Sequence, residues 1–351
     1  MIADVQYVKH AAMVGSGAFG TAMATVLAKK AETVSVWHLD AKEAQMINEK
    51  RENVLFLKGV PLPSNVTYTA DTMACIANAD ILLLAIPTQF LRGYLKKNSD
   101  LIRRHIVERR VPIVVCSKGI ERSSLQFPAQ ILADFLPGYP ISVLAGPSFA
   151  LEVAKGMHTH VCTAATDINM ARRVQRIITT ADGTFRCWAS TDIVGCEVAS
   201  AVKNVLAIAS GAIKGLGTDC NARAALITRG LLEIRNLTLA LGGTGEAVFG
   251  LAGLGDLLLT CSSELSRNFT VGKKLSQGMT MAEIRRTSKA VAEGVATAES
   301  LEQLAKKMRV RLPVAHEVYG VLYENKDVKK AFDKLQRCPM QDEGLPPLSH
   351  L

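Results

Sequence analysis

Two lysines in apolar surroundings are the residues in this sequence whose chemistry stands out first. Lys118 lies in VVCSKGI, and Lys203 lies in ASAVKNVLAIASG, where its neighbours are mostly Ala, Val, Leu and Ile. An ammonium group in such surroundings costs free energy unless its pKa falls or it finds a partner. A lysine of that kind can give a proton to a carbonyl oxygen and take it back from a hydroxyl. The alternative for Lys203, a side chain that reaches solvent from an amphipathic helix, stays open.

A second group of polar residues follows later in the chain. The segment GLGDLLLT at 253–260 puts two glycines before Asp256, and SRN follows at 266–268. The glycines allow a tight bend beside the carboxylate, the planar guanidinium of Arg267 suits a phosphate, and Asn268 adds an amide donor. Taken alone, Arg267 and Asn268 also fit an ordinary surface pair at the start of a helix.

A glycine-rich loop near the N-terminus fits the pattern G-x-G-x-x-G. Its residues are Gly15, Ser16, Gly17, Ala18, Phe19 and Gly20. An apolar strand-like run precedes the loop and a helical pattern follows it, as in dinucleotide-binding domains. The first glycine permits the turn, the second lets a pyrophosphate approach the backbone, and the third lets the helix pack on the strand. The loop therefore predicts a site for NAD(P) or FAD.

The end of the second predicted strand favours NAD over NADP. NADP-binding domains place Arg or Lys there to meet the 2′-phosphate, whereas NAD-binding domains place an acid for the ribose hydroxyls. No Arg or Lys lies between Val34 and Ala41, where the sequence reads SVWHLD up to Asp40. Asp40 is either that acid or the N-cap of the next helix.

The elements that must position these residues differ between the two halves of the chain. Within 1–190, short apolar runs alternate with amphipathic stretches, which predicts an α/β N-terminal Rossmann-like domain with a mostly parallel sheet. Strands are predicted at 10–14, 33–37, 79–87, 112–119, 141–145, 160–165 and 184–188. Within 191–340 the pattern is helical, at 192–214, 221–241, 281–288 and 297–307, which predicts an all-α C-terminal domain. Residues 341–351 are predicted to form a flexible tail.

Composition narrows the class of partner. The net charge of +9 favours anionic partners, either nucleic acid or phosphorylated metabolites. The aromatic content is only 5%, and no stretch interleaves Lys or Arg with aromatic residues, which disfavours nucleic acid. No apolar run reaches the length of a membrane span, so no membrane partner is expected.

Cysteine and histidine spacing argue against a metal site. The eight cysteines form no C-x-x-C pair, which is typical of a reducing compartment and of neither a disulfide framework nor a zinc site. On a strand, His158 and His160 would share a face, but no third ligand lies near them in the sequence. We therefore expect no metal.

Several long motifs in order carry a family resemblance. They are GSGAFGTAMA (15–24), NVLFLKGVPLP (53–63), AIPTQFLR (85–92), SKGIE (117–121), AGPSFALEVAKG (145–156), ASAVKNVLAIASG (199–211), GLAGLGDLLLTCSSELSRNFTVG (250–272) and VAEGVAT (291–297). From Ala11 to about Tyr323 the chain resembles the soluble NAD-dependent glycerol-3-phosphate dehydrogenases, and it is similar to the glycosomal members in trypanosomatid protozoa. Two departures are Ala18-Phe19, where many relatives carry Asn-Trp, and His38-Leu39, where bacterial members often show an Arg used for NADPH.

The resemblance implies hydride transfer between NAD(H) and dihydroxyacetone phosphate or sn-glycerol 3-phosphate. It makes Lys203 the general acid/base, places Lys118 at the same oxygen, and has Asp256 hold Lys203 in place. The implied substrate contacts are these three residues with Gly146, Ser148, Thr260, Ser266, Arg267 and Asn268. The implied cofactor contacts beyond the glycine loop are Phe56, Phe90, Lys118, Ala150, Arg267, Val291 and Glu293.

The C-terminal tripeptide bears on the compartment. The chain ends Ser349-His350-Leu351, which is similar to the peroxisomal address Ser-Lys-Leu. Glycosomes are related to peroxisomes, so a glycosomal location with recognition by the peroxisomal import receptor is expected. The alternative is a cytoplasmic enzyme with an unrelated tail. Relatives also suggest a homodimer.

Two other classes of function fit part of the pattern. Another dehydrogenase of the same plan, acting on a hydroxyacid or on 6-phosphogluconate, would lack the Arg267-Asn268 pair after GLGD. A non-catalytic NAD sensor would keep the glycine loop but has no reason to keep Lys118, Lys203 and Asp256 together.

Overall fold

The computed structural model describes residues 4–217, 220–287 and 292–337, without the side chain of Thr287. The chain divides into two compact units, Met1–Ser117 with Pro128–Ile193 and Lys118–Phe127 with Val194–Leu351. The segment Lys118–Phe127 lies early in the sequence but in the second unit. The boundaries predicted at 190 and 340 stay predictions, and the tail predicted at 341–351 lies outside the described residues.

The first unit is built on an eight-stranded sheet in the order β3-β2-β1-β4-β5-β6-β7-β8. The strands are β1 Val8–Val14, β2 Ala31–Trp37, β3 Val66–Thr69, β4 Ile81–Leu84, β5 Ile113–Val115, β6 Ile141–Ala145, β7 Thr159–Ala165 and β8 Phe185–Ser190. The helices are α1 Ala18–Ala28, α2 Ala41–Lys50, α3 Thr72–Ile76, α4 Thr88–Ile102, α5 Pro128–Phe135, α6 Ala150–Ala154 and α7 Ile168–Ile178.

The sheet is parallel except where β6 pairs with β7. Its central strands read as continuous apolar runs because both faces are covered, and every residue of β4 is buried. The chain reverses its direction of winding at β1, which pairs with β2 on one side and with β4 on the other. Such a switch point opens a crevice at the carboxyl ends of the strands, and ligands bind there in open α/β sheets.

The second unit is helical, and residues 194–217, 220–287 and 292–337 contain no strand. Its helices are α8 Ile193–Gly215, α9 Cys220–Ala240, α10 Asp256–Ser262, α11 Arg267–Ser276, α12 Met281–Thr287, α13 Glu293–Met308, α14 Pro313–Tyr323 and α15 Val328–Gln336. A short 3₁₀ turn, Glu246–Phe249, and a π-helical turn, Leu251–Gly255, connect α9 to α10. Of these helices, α10, α11, α14 and α15 were not predicted from the sequence.

Helix α8 forms the core of the second unit. The sequence was expected to hold no segment of membrane-span length, but α8 is long and apolar enough to cross a membrane by length and composition. Of its most apolar stretch, 78% is buried in the fold, as in the core helix of a globular protein. Lys203 lies at its centre among buried alanines, valines and leucines. The helix thus carries one ammonium group into the interior of the unit.

Glycines let α8 and α11 approach at backbone distance. A Cβ atom on Gly272 of α11 would overlap the carbonyl oxygen of Ile208, and one on Gly211 of α8 would overlap that of Phe269. Close approach of two helices requires the absence of side chains at the crossing point. The crossing fixes the first turn of α11, which carries Arg267, relative to α8, which carries Lys203.

Gly272→Ala is expected to destabilise the protein although alanine favours helices. The intrinsic gain of about 1 kcal/mol is smaller than the cost of forcing a methyl group into backbone atoms, about 1–3 kcal/mol or more. Thermal unfolding should show a melting temperature lower by roughly 2–8 °C. Gly93→Ala in α4 is the matched control, because its Cβ would meet no atom within 4 Å, and it should be neutral or stabilising. Equal melting temperatures for both variants would contradict the close crossing.

Candidate active site

The glycine loop lies between β1 and α1, at the switch point of the sheet. Gly15 has φ 110°, and a Cβ there would lie 2.7 Å from the carbonyl carbon of Ala85. A Cβ on Gly20 would overlap the carbonyl oxygen of Gly15, whereas a Cβ on Gly17 would meet no atom of the chain within 4 Å. The chain itself therefore requires the first and third glycines. The second keeps the backbone open at the N-terminus of α1, where a pyrophosphate binds in dinucleotide-binding domains, so the residues fit a dinucleotide.

Buried side chains hold this loop from both sides of Ser16. The Ser16 hydroxyl lies 2.5 Å from Nδ1 of His38. The Asn53 amide donates to the Ser16 carbonyl at 2.9 Å and to the Thr21 hydroxyl at 2.8 Å. Sequence reasoning missed His38 and Asn53 as supports of the loop, because neither belongs to the glycine pattern.

The other predicted contacts in the first unit lie in loops or in the first turns of helices. Phe56 and Phe90 are exposed, at 52% and 69%, so both side chains are accessible to a ligand. Gly146 and Ser148 directly follow β6, and the Ser148 hydroxyl donates to the Gly146 carbonyl at 2.9 Å. Ala150 begins α6.

The second unit brings Lys118, Lys203 and Asp256 together. Nζ of Lys203 donates to Oδ1 of Asp256 at 2.6 Å and to the hydroxyl of Thr260 at 3.0 Å. Nζ of Lys118 donates to Oδ2 of the same carboxylate at 3.3 Å. Asp256 and Lys203 are buried, with 1% and 6% of their surface exposed. One buried carboxylate thus lies between two ammonium groups, which we call the lysine–aspartate cluster.

The π-helical turn and α10 explain how Asp256 reaches this position. A Cβ on Gly253 would overlap backbone atoms of Val248, so the turn closes only with glycine there. The turn ends where α10 begins, and Asp256 is the first residue of α10. The Thr260 hydroxyl, one helical turn later, donates to the Asp256 carbonyl at 2.6 Å and thereby faces the same side.

Burial and mutual charge set the protonation of the cluster. Burial lowers the pKa of Lys203 to about 8, since the attraction of Asp256 only partly offsets desolvation and the charge of Lys118 adds to the lowering. Burial alone would raise the pKa of Asp256, but the two lysines outweigh it and hold that pKa below its ordinary value. Burial raises the pKa of Glu293, and the charges of Arg267 and the two lysines offset part of that rise. Asp256 is therefore ionised at neutral pH, and Lys203 titrates at a pH close to neutral.

The residues predicted to bind the substrate phosphate lie at the start of α11. Ser266 is its N-cap, its hydroxyl oxygen accepting from the backbone N–H of Phe269 at 3.3 Å. Arg267 is exposed. Val291, a predicted cofactor contact, lies outside the described residues.

Asn268 is buried and contacts neighbouring helices rather than the lysines. Its amide donates to Oδ1 of Asn204 at 2.9 Å, and its own Oδ1 accepts from the backbone N–H of Gly294 at 3.0 Å. Asn204 directly follows Lys203 on α8, and Gly294 directly follows Glu293 at the start of α13. Sequence reasoning missed Asn204, although its position next to the candidate lysine was a signal.

Asp40, for which the sequence left open a ribose-binding acid or a helix N-cap, caps α2. Its carboxylate accepts from the backbone N–H of Glu43 at 2.9 Å, as an N-cap residue does. Among the described residues, no three His, Cys, Asp or Glu side chains are placed so that they could hold a metal ion.

The sheet order, the switch point and the glycine loop define a dinucleotide-binding protein of the Rossmann type, with a helical unit that carries a lysine–aspartate cluster. Two family models match the chain, NAD-dependent glycerol-3-phosphate dehydrogenase N-terminus at residues 10–171 and C-terminus at residues 192–333. The chain therefore belongs to the NAD-dependent glycerol-3-phosphate dehydrogenase family.

Individual relatives agree with the family models. The chain is 70% identical over 348 residues to the glycosomal glycerol-3-phosphate dehydrogenase [NAD(+)] of Trypanosoma brucei brucei, covering 99% of this chain and 98% of that one. It is 61% identical to the glycosomal enzyme of Leishmania mexicana, covering 98% and 94%. The crystal structure of the glycerol-3-phosphate dehydrogenase from Coxiella burnetii has a TM-score of 0.87 at 30% identity, covering 95% of this chain and 99% of that one.

These findings confirm the predicted family, the α/β and all-α fold classes, the oxidoreductase class and the NAD cofactor. The predicted glycosomal compartment agrees with the names of the two trypanosomatid relatives. The family models and the three relatives named above do not support the other hypotheses, which were a hydroxyacid dehydrogenase, a 6-phosphogluconate dehydrogenase and an NAD sensor.

Proposed function

We propose that this chain transfers hydride reversibly between NAD(H) and dihydroxyacetone phosphate or sn-glycerol 3-phosphate, with Lys203 as the general acid/base. The observation that carries the proposal is the buried Asp256 carboxylate, which holds Lys203 and Lys118 at 2.6 and 3.3 Å. A buried lysine that titrates near neutral pH matches the demand of a reaction that must add and remove one proton.

When bound, the nicotinamide would supply the hydride or accept it. The loop residues Gly15, Ser16, Gly17, Ala18, Phe19 and Gly20 hold the pyrophosphate in this proposal. Phe56 and Phe90 flank the adenine, and Ala150 contacts the nicotinamide end. The proposal also keeps Lys118, Arg267, Val291 and Glu293 as cofactor contacts, on the family resemblance.

The lysine–aspartate cluster handles the proton. In ketone reduction, Nζ of Lys203 gives its proton to the carbonyl oxygen as negative charge develops there, and Lys118 stabilises that charge. In alcohol oxidation, neutral Lys203 takes the hydroxyl proton. Asp256 keeps both lysines in place, and the Thr260 hydroxyl fixes the direction of the Lys203 side chain through its 3.0 Å contact. The same nitrogen therefore gives the proton in one direction of the reaction and accepts it in the other.

In this proposal, residues at the start of α11 bind the substrate phosphate. Arg267 presents a guanidinium fork, and the helix N-terminus around Ser266 favours an anion. Asn268 retains a second amide hydrogen beyond the one given to Asn204. Gly146 and Ser148 complete the proposed substrate contacts on the family resemblance. Holding the phosphate at a distance from the reacting carbon lets binding energy orient the carbonyl.

The phosphate role of Arg267 gives the experiment that tests this function. Oxidation of NADH at 340 nm should be fast with dihydroxyacetone phosphate and weak with unphosphorylated dihydroxyacetone. At saturating NADH, where a cofactor contact of Arg267 no longer limits the rate, kcat/KM of Arg267→Ala for the phosphorylated substrate should fall about 100-fold, the scale of a bidentate charged contact, with little change for the unphosphorylated one. Lys274→Ala, which removes a cation from the last turn of the same helix, is the matched control. Equal losses on both substrates would contradict a phosphate contact.

A second test follows from the pKa of Lys203, about 8. Reduction needs the protonated lysine, so its kcat/KM should be level below pH 8 and fall roughly tenfold per unit above it. Oxidation needs the neutral lysine, so its kcat/KM should rise towards pH 8 and level off beyond it. The measurement is the pH profile of kcat/KM in both directions between pH 6 and 10. Profiles that bend in the same direction would contradict the assignment of Lys203.

We propose a glycosomal homodimer as the form of this enzyme in the cell. The names of the trypanosomatid relatives support the compartment, and the tripeptide Ser349-His350-Leu351 supports recognition by the peroxisomal import receptor. The tripeptide lies outside the described residues. Nucleic acid and membrane are not part of the proposal.

A further inference from the structure

Three polar side chains form a chain of hydrogen bonds from the glycine loop to the first turn of α2. The Ser16 hydroxyl lies 2.5 Å from Nδ1 of His38, and Nε2 of the same ring lies 2.7 Å from Oε2 of Glu43. Ser16 is the second residue of the loop, His38 follows β2, and Glu43 lies on α2. These contacts all lie within the first unit.

The direction of the hydrogen bonds follows from the acceptor at one end. A carboxylate only accepts, so Nε2 of His38 carries the hydrogen that Glu43 receives. Nδ1, on the other side of the ring, pairs with the Ser16 hydroxyl. The imidazole is buried at 3% exposure, and the backbone N–H of His38 donates to the carbonyl of Thr69 at 2.8 Å. Both ends of the ring are thus fixed, and the carboxylate it holds keeps one defined orientation.

Glu43 is half exposed, whereas Ser16 and His38 are buried. Its side chain is 47% exposed, against 4% for His38. One carboxylate oxygen accepts from His38, and a carboxylate has lone pairs left for two further donors. A buried histidine that orients an open carboxylate at the edge of a loop is an arrangement suited to receiving a ligand.

Glu43 lies in the part of the first unit where dinucleotide-binding domains bind the adenosine ribose. It lies at the carboxyl ends of β1 and β2, connected through His38 to the loop that cradles the pyrophosphate. Dinucleotide-binding domains use an acid about 20 residues beyond the loop to accept the ribose 2′-hydroxyl. Asp40 is the other carboxylate nearby and caps α2 through the backbone N–H of Glu43, whereas Glu43 is the carboxylate connected to the glycine loop through His38.

We propose that Glu43 accepts the hydroxyls of the adenosine ribose of NAD and repels the 2′-phosphate of NADP. His38 and Ser16 are positioning residues that hold this carboxylate. The assignment rests on binding of the dinucleotide at the glycine loop. The N-terminus of a helix attracts phosphate, so α2 without its acids would favour NADP. Lys42 is adjacent in sequence, but neighbouring residues of a helix face different directions.

The test is direct binding of reduced dinucleotides, followed by their fluorescence, without turnover. In Glu43→Gln we expect NADH to bind about tenfold more weakly, because a charged acceptor becomes a neutral one. NADPH should bind more tightly than to the unaltered chain, since a like charge is removed. The ratio of the two dissociation constants should therefore change by more than about tenfold.

Asp40→Asn is the matched control, because it removes a carboxylate from the same turn without touching His38. It should leave the NADH to NADPH ratio unchanged. Titration with 2′-deoxy-NADH gives an independent readout, since the unaltered chain should bind it about tenfold more weakly than NADH. Glu43→Gln should bind the two nearly equally, because the acceptor for the missing hydroxyl is already gone.

Two outcomes overturn the assignment in different ways. If the unaltered chain binds NADH and Glu43→Gln keeps the original ratio, or Asp40→Asn changes it equally, Glu43 is not the selective residue. If the unaltered chain binds neither dinucleotide, cofactor binding itself fails and the assignment fails with it.

Discussion

Lys203→Met is expected to lower kcat for reduction of dihydroxyacetone phosphate by about 10³-fold, within the range that general acid–base catalysis contributes. Methionine has a similar length and no proton to give, and it suits a position that is 6% exposed. Asp256 keeps Lys118 as a partner at 3.3 Å, so the change leaves no buried carboxylate unpaired. The affinity for NADH, measured by fluorescence, should stay within about threefold, because the loss is specific to the transition state.

Two further variants separate proton transfer from charge and from helix stability. Lys203→Arg retains a cation whose pKa is too high for it to act as an acid, so it should lose activity as severely as methionine does. Lys214→Met removes an exposed lysine from the last turn of the same helix and should keep full activity. A nearly active Lys203→Met, or an active Lys203→Arg, would rule out Lys203 as the proton donor.

Local sequence patterns predicted the first unit well, because they report on the immediate surroundings of each segment. The loop at 15–20 fits its pattern in a context of strand and helix, and the apolar run at 141–145 coincides with β6 Ile141–Ala145. Strand β3, Val66–Thr69, was missed because it is four residues long and reads VTYT, with too few residues to show alternation. Helices α10 and α11, of seven and ten residues, were missed for the same reason, since two to three turns give little periodicity.

Long-range contacts could not be predicted from such patterns. Lys118 is separated from Asp256 by 138 positions, and only the placement of Lys118–Phe127 in the second unit explains their contact. In the same way, nothing in the local sequence connects His38 to Ser16 across 22 positions. The apolar surroundings of Lys203 indicated it as a candidate, but its partner Asp256 was implied by the family resemblance and not by any local pattern. The chemistry of this protein therefore depends on pairs that composition and periodicity leave undetermined.

Asp256→Asn is expected to be the most destabilising single change in the lysine–aspartate cluster. The substitution leaves two ammonium groups near each other without a counter-charge, and removing one partner of a buried ion pair costs about 3–5 kcal/mol. Urea unfolding at pH 7 should show a loss of that size, together with loss of activity. Asp134→Asn breaks the half-exposed ion pair with Arg92 and should cost no more than about 1 kcal/mol.

The pH dependence of this loss distinguishes unpaired charge from a packing defect. Without Asp256, the pKa of Lys203 should fall further below 8, because the attraction that opposes burial is gone. A lysine whose pKa is lower in the folded than in the unfolded state binds fewer protons when folded, so stability rises with pH. The deficit of Asp256→Asn should therefore shrink as the pH rises from 7 to 10. Adding Lys118→Met should recover part of it at pH 7, because one cation is removed. A deficit that is constant with pH and unaffected by Lys118→Met would mean that shape rather than charge makes Asp256 necessary.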